Sequence, residues 1–357
     1  MSIQASQNIP NAPVSFNELL KEANNNDIRA QNTIARYYAH GQGVKKDDEK
    51  AFYYYKKAAE QGDSGAQNSL GTFYLYGRGV EEDTDLAIQW YKKAAAQKNV
   101  MAQHNLGLHF MRRHEYKEAF TWFQKAAEQG HAIAQSILGT MYAEGEGVEQ
   151  NSKQAFFWQF KSAKQGHAIA QHNVAQYFYQ QKDYKQALYW YNQASKQNMV
   201  ESQHALGHMY ENGLGTEKDF LVSGKFYHKA AKNGRTKTQE FLDEMNKFCK
   251  KLIQPNSHQV EACFIAAGAK YPESQKKLAD FYKEGYGVEK DMAKAYAWMK
   301  AALSFYKNQD DTTKDGIYTA MNKYLSTLAS STQIEEEMNA QALEYVNKYG
   351  ANSRDEE

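Results

Sequence analysis

In a chain of 357 residues, 43 basic side chains balance 42 acidic ones, so no single-signed field draws it to nucleic acid or to an anionic membrane surface. No apolar run approaches the ~20 residues needed to cross a bilayer, and no transmembrane segment is predicted. Aromatic residues make up 13% of the chain, with 26 tyrosines, most of them at recurring positions where core packing is the expected role.

Residues 1–13 are polar and include Pro10 and Pro13. They lack a basic start followed by an apolar stretch, so they are expected to be disordered and not a secretory signal. Residues 14–29, containing FNELLKEANN, are predicted to form a lone N-terminal capping helix.

From residue 30 to residue 303 the chain repeats itself eight times. A small residue followed by Gln opens each unit: Ala30-Gln31, Ala66-Gln67, Ala102-Gln103, Ala134-Gln135, Ala170-Gln171, Ser202-Gln203, Thr238-Gln239 and Ser274-Gln275. The spacing is 36 residues, or 32 where the unit is short. An apolar residue follows at the fifth position (Leu70, Leu106, Leu138), a small one at the sixth (Gly71, Gly107, Gly139), and an aromatic three further on (Tyr74, Phe110, Tyr142). These offsets share one face of a first helix, A. Helix A is predicted to stop at the first glycine of a G-x-G turn, as at Gly41, Gly77, Gly145, Gly213 and Gly285, because glycine tolerates the left-handed conformation. Asp47, Asp83, Asn151, Asp219 and Asp291 then supply N-caps for a second helix, B. Helix B carries residues such as Ala87, Trp90, Ala94 and Ala95, and small residues on both helices let their axes approach closely. The two 32-residue units lose four residues in the turn, which reads RRHEY at 112–116 and QQKDY at 180–184.

The unit at 238–273 departs from the pattern. Cys249 and Lys251 replace both turn glycines, and Pro255 falls at the cap of helix B. Ala266-Ala267 keep register, so a distorted repeat is predicted, with a hinge at 254–257 as the alternative. Two cysteines 14 apart do not establish a disulfide, and Cys249 and Cys263 are expected as free, buried thiols. Residues 304–350 are predicted to form C-terminal capping helices over the last repeat, and 351–357 a disordered tail.

The small–Gln opening with L-G, Y, G-x-G-V, A-x-x-W-Y and K-A-A resembles the Sel-one-like repeat family, a relative of the tetratricopeptide repeats. The resemblance implies an all-α, right-handed α/α superhelical solenoid that binds other proteins and has no catalytic activity. Some secreted members of that family carry a cysteine pair in every repeat, which this chain does not.

By analogy with tetratricopeptide geometry, the third, seventh, tenth and eleventh positions of helix A line a concave groove. They carry His104, His172 and His204, then Leu108, Gln176 and His208, then Tyr76, Met111, Arg112 and Tyr179. Aromatics, Arg and amides on one concave surface suit recognition of a partner segment. His204 and His208 have zinc-compatible spacing, but no H-E-x-x-H or C-x-x-C accompanies them, so neither a metal site nor a cofactor is expected. No G-x-S-x-G, phosphate-binding glycine loop or paired-carboxylate constellation stands out. The reading is a non-catalytic scaffold or adaptor, which includes a bacterial protein acting at a host interface; the alternative is a hydrolase of the kind claimed for cysteine-rich relatives. The expected location is the cytoplasm, or outside it by export without a classical signal peptide. The late glutamates (Glu335, Glu336, Glu337, Glu344, Glu356, Glu357) resemble the acidic signals of some exported effectors, although a solvated helix face accounts for them equally.

Overall fold

The computed structural model describes residues 15–307 together with Thr319, Lys323 and Ser326. The expected disordered N-terminus, the capping helices beyond residue 307 and the expected tail lie outside the described residues. The chain divides into two compact units, residues 1–165 and 166–357. Regular structure among the described residues is entirely helical.

The first unit begins with α1 (Phe16–Asn24), closed by a reciprocal cap between Ser15 and Glu18. Four antiparallel hairpins follow: α2 (Ile28–His40) with α3 (Asp48–Glu60), α4 (Ser64–Leu75) with α5 (Thr84–Ala96), α6 (Val100–Arg112) with α7 (Tyr116–Glu128), and α8 (Ala132–Glu144) with α9 (Ser152–Lys164). The second unit holds α10 (Ala168–Gln180) with α11 (Tyr184–Lys196), α12 (Val200–Asn212) with α13 (Phe220–Lys232), α14 (Thr236–Lys251) with α15 (Ser257–Gly268), and α16 (Pro272–Glu284) with α17 (Met292–Lys307).

Most of the helices start where a side chain satisfies an orphan N–H; α7, α10, α12, α14 and α16 start without one. Asp47, Asp83 and Asn151 accept from the backbone N–H of Lys50, Leu86 and Gln154 at 2.8–3.0 Å. Asp219 and Asp291 do the same for Val222 and Lys294. Helices α2, α8, α12 and α16 end at a left-handed glycine, whereas α4 ends one residue before the expected Gly77, at Tyr76, with Gly77 left-handed just beyond it. The second glycine of the turn has a different reason. A Cβ on Gly79 would lie 2.3 Å from the Asp48 carbonyl oxygen, and one on Gly147 would lie 2.2 Å from that of Tyr116. The turn therefore rests directly on the backbone at the start of the previous B helix. In the short units His114 and Lys182 take the left-handed position instead.

Small residues set the A–B spacing. A Cβ on Gly71 would meet the Tyr91 ring at 2.8 Å, one on Gly107 the Phe123 ring at 2.7 Å, and one on Gly139 the Gln159 Cγ at 2.7 Å. The fifth-position residues Ile34, Leu70, Leu106, Leu138, Val174, Leu206, Leu242 and Leu278 are all fully buried.

The opening glutamine has a role that its periodicity did not disclose. Gln67 Nε2 donates to the Ala59 carbonyl in the preceding B helix, and its Oε1 accepts from Gln97 at the end of its own hairpin. Gln31, Gln103 and Gln135 are wired in the same way, through Gln61, Gln129 and Gln165. Each buried amide thus joins three helices and occupies carbonyls that a helix end leaves free.

In the second unit, α14 runs through the place of the missing turn to Lys251. This extension carries Cys249 opposite Cys263 on α15, and the two form a disulfide with a Cα–Cα distance of 5.0 Å. The expectation of free thiols is corrected: both residues are buried, but as a cross-link. Helix α15 starts at Asn256, not Pro255, in a reciprocal cap with Gln259. Glycines also let α13 and α15 touch: a Cβ on Gly224 would lie 2.0 Å from the Ile265 carbonyl oxygen, and one on Gly268 2.2 Å from that of Leu221.

Candidate partner-binding site

The ten residues expected along the groove fall into two sets, one in each unit. In the first unit, Tyr76, Leu108 and Arg112 line one cleft between α4, α5 and α6, with a volume of about 160 Å³. Tyr76 caps the end of α4, and Leu108 and Arg112 lie one turn apart on α6, which puts them on the same helical face. Leu75 and Ile88 add apolar wall, and Thr72, Tyr91, Asn105 and His109 complete the lining. The Tyr91 and Thr72 hydroxyls are hydrogen-bonded to each other at 2.9 Å, and the Asn105 amide donates to Asn68 Oδ1 at 3.0 Å. Burial holds the Tyr91 hydroxyl above its ordinary pKa, so it stays protonated.

Arg112 is exposed and makes no ion pair among the described residues, whereas Arg113 pairs with Glu115. The His109 imidazole is held below its ordinary pKa, first by burial, then by Arg113, with Arg112 and Lys92 adding to it and Glu115 opposing. Arg113 is engaged by Glu115 and also feels Asp85, so Arg112 is the guanidinium in the cleft lining that has no carboxylate among the described residues. Tyr76 is 59% exposed and stacks on no other ring among the described residues. Tyr53 and Phe157, aromatics on B helices, are by contrast covered by Lys57 and Lys161, whose ammonium groups sit 4.8 and 4.5 Å from the ring centres.

Two expected groove residues of this unit point elsewhere. Met111 is half-buried and packs against the core around Phe123, Leu138 and Trp158. His104 is a correction to the solvent-facing expectation: it is buried, with its ring 5.7 Å from Phe123 and 4.8 Å from His131. Burial, followed by the charge of His131, pushes its pKa down to about 4, so it is neutral at physiological pH.

In the second unit, Gln176 and His208 are exposed and Tyr179 is half-buried. The Tyr179 ring lies 6.5 Å from His208 and 5.4 Å from Tyr184, so α10 and α12 bring two of the three into one patch. His172 requires the same correction as His104. It is buried, its Nδ1 is 2.8 Å from the Ser202 hydroxyl, and burial lowers its pKa. His204 is half-buried beside Tyr227, with Nδ1 3.0 Å from the Thr238 hydroxyl. Its pKa is pushed down to about 4 by burial, with Arg235 and His208 adding to the effect. His104, His172 and His204 share a helical face with the seventh and eleventh positions, and it is the rings of Phe123, Tyr191 and Tyr227 on the following B helices that cover them. Among the described residues, no group of three or more His, Cys, Asp or Glu is placed to hold a metal ion.

Ile88, Tyr91, Asn105 and His109 escaped the sequence reading. The first two belong to a B helix, and position counting along helix A does not reach them. The signal present was Ile88 itself, an apolar residue beside the Ala87 contact.

A family profile described as Sel1 repeat matches residues 28–63, 64–99, 100–131, 132–167, 168–199, 200–234 and 272–304, together more than half of the chain. The distorted unit with the disulfide is passed over. The fold is similar to that of c5321, a protective antigen of uropathogenic Escherichia coli with an SLR fold, at 24% identity over 94% of this chain and 79% of that one, with a TM-score of 0.59. It is also similar to a Sel1 repeat protein from Oxalobacter formigenes, at 32% identity over 60% of this chain and 89% of that one, with a TM-score of 0.53. No curated protein matches the sequence. No helix among the described residues is long and apolar enough to cross a membrane.

Proposed function

Because the chain belongs to the Sel1 repeat family, whose repeats generally mediate protein–protein interaction and whose fold is typically a non-enzymatic scaffold, we propose that it is an adaptor that seats a segment of a partner protein against its A helices. The observation that carries this reading is the α4–α5–α6 cleft, where an uncovered Tyr76 stands beside apolar wall and an unpaired Arg112. Tyr and Arg are enriched among the residues that dominate binding energy when a partner covers them. Tyr179 with His208 is the corresponding patch of the second unit. The disulfide favours work in an oxidising compartment over the reducing cytoplasm, which fits export and a role at a host interface.

The test is capture of partners by the full chain, followed by affinity measurement on whichever protein is recovered. Tyr76→Ala with Arg112→Ala should weaken binding at least tenfold with helicity unchanged. Lys117→Ala, on the exposed side of α7, should not. If binding responded to Lys117 and not to the cleft pair, the groove reading would fail. A turnover assay on the same preparation tests the hydrolase alternative.

A further inference from the structure

Resting on that reading, we infer that the α4–α5–α6 cleft takes an acidic segment of a partner protein, with one apolar side chain seated in the cleft and a neighbouring carboxylate on Arg112. The size is the first argument. The volume of about 160 Å³ suits one bulky side chain and not a folded element; an apolar protein cavity of about 150 Å³ admits benzene. The lining is the second. Leu75, Ile88 and Leu108 supply hydrocarbon, and in the polar lining the Tyr91 and Thr72 hydroxyls are bonded to each other and the Asn105 amide to Asn68. An apolar occupant therefore leaves these groups satisfied.

Charge is the third argument. Arg112 lines the cleft, is exposed and has no carboxylate partner among the described residues, while the nearby acids Glu115 and Asp85 act on Arg113. A basic segment would be repelled there, and a neutral one would leave the guanidinium without the bidentate partner its planar fork fits. Spacing is the fourth. Leu108 and Arg112 are four residues apart on α6, about 6 Å along its surface. In an extended peptide that separation corresponds to side chains one or two residues apart. The recognised chemistry is thus a Phe, Tyr or Leu within two residues of an Asp or Glu.

The experiment is selection of a phage-displayed random dodecapeptide library on the full chain, with the enriched peptides then synthesised and titrated by fluorescence anisotropy. Enriched peptides should place an aromatic or Leu within two residues of an acid. Their binding should fall at least tenfold when that apolar residue becomes Ala, and equally with Arg112→Ala in the protein. Arg112→Glu, an exposed change whose folding is checked by circular dichroism, should redirect selection to basic peptides. Enrichment of neutral or basic peptides that still depend on Tyr76 would overturn the acidic-ligand inference and leave the groove reading standing. Enriched peptides indifferent to both Tyr76→Ala and Arg112→Ala, or no enrichment at all, would overturn both. Binding that emerged only after removal of residues 351–357 would make the chain's own acidic end the occupant, and would overturn the partner proposal.

Discussion

Replacing Gly139 by alanine tests the close contact on which the hairpins depend, because two physical effects predict opposite signs. Helix propensity alone favours Ala over Gly by about 1 kcal/mol, so a loosely packed α8 would be stabilised. The structure predicts the reverse. The new Cβ would stand 2.7 Å from Gln159 Cγ and 3.0 Å from the Ala155 carbonyl oxygen on α9. Ordinary carbon contacts need about 3.5 Å or more, so one helix or the Gln159 side chain must move by nearly an ångström. Gln159 is not free to swing. It is buried, donates to the Ser136 carbonyl at 2.9 Å and the Thr140 hydroxyl at 3.1 Å, and accepts from the Ser136 hydroxyl at 3.1 Å. Overpacking costs about 1–3 kcal/mol, and expelling Gln159 would cost a similar amount in unmet hydrogen bonds. Set against the propensity gain, the net loss is about 2 kcal/mol. A repeat array is not a two-state system, so the assay is hydrogen exchange resolved to α8 and α9. Protection there should drop about thirtyfold, with little change in α2 and α3. Pairing the change with Gln159→Ala should cost less than the sum of the two, since the second removes the atom that the first strikes. Unchanged or increased protection in Gly139→Ala would refute the contact, and Gly139→Val should be worse than Ala.

Three further predictions follow from the same geometry. Gln135→Leu should destabilise the α7–α8–α9 junction by about 2 kcal/mol, because the Ala127 carbonyl and the Gln165 amide both lose their partner; unchanged exchange across that junction would show the clip to be dispensable. The pH profile follows from His104 and His204, whose folded pKa values of about 4 lie below the ordinary imidazole value of about 6.5. Below pH ~6.5 the unfolded chain takes up protons that the fold refuses, so stability is complete above that pH and is lost as pH falls towards 4. His104 should account for about 1–2 kcal/mol by pH 5, and His104→Gln should flatten that part of a urea-midpoint series between pH 7 and pH 5; an unaltered slope would put the titration elsewhere. Reduction of Cys249–Cys263, which closes 14 residues of sequence, should lower the stability of the α14–α15 region by about 3 kcal/mol. Alkylation of both cysteines in denatured, unreduced protein would disprove the cross-link.

What the sequence by itself determined is what local chemistry controls. Asp47 and Asp83 cap their helices because a short oxygen-bearing side chain there reaches an N–H three residues on, whatever the rest of the chain does. Gly41 and Gly145 end theirs because a left-handed residue needs no distant partner. The sixth-position glycines were also legible, since recurrence of a small residue on the apolar stripe in every unit but the seventh, where Asp243 stands, already implies a close neighbour. Tertiary structure decided whatever depends on which atoms of another repeat come near. The opening Gln was visible as a pattern, but its partners lie in a preceding helix and at the far end of its own hairpin. Gly79 needs its missing Cβ because of the Asp48 backbone, thirty-one residues earlier. His104 and Leu108 are one helical turn apart, yet only the packing of α7 against α6 buries the first and leaves the second on the cleft. Cys249 and Cys263 met because α14 continues through a turn that its sequence no longer encodes, and a helix end is weakly specified until the helices around it are in place.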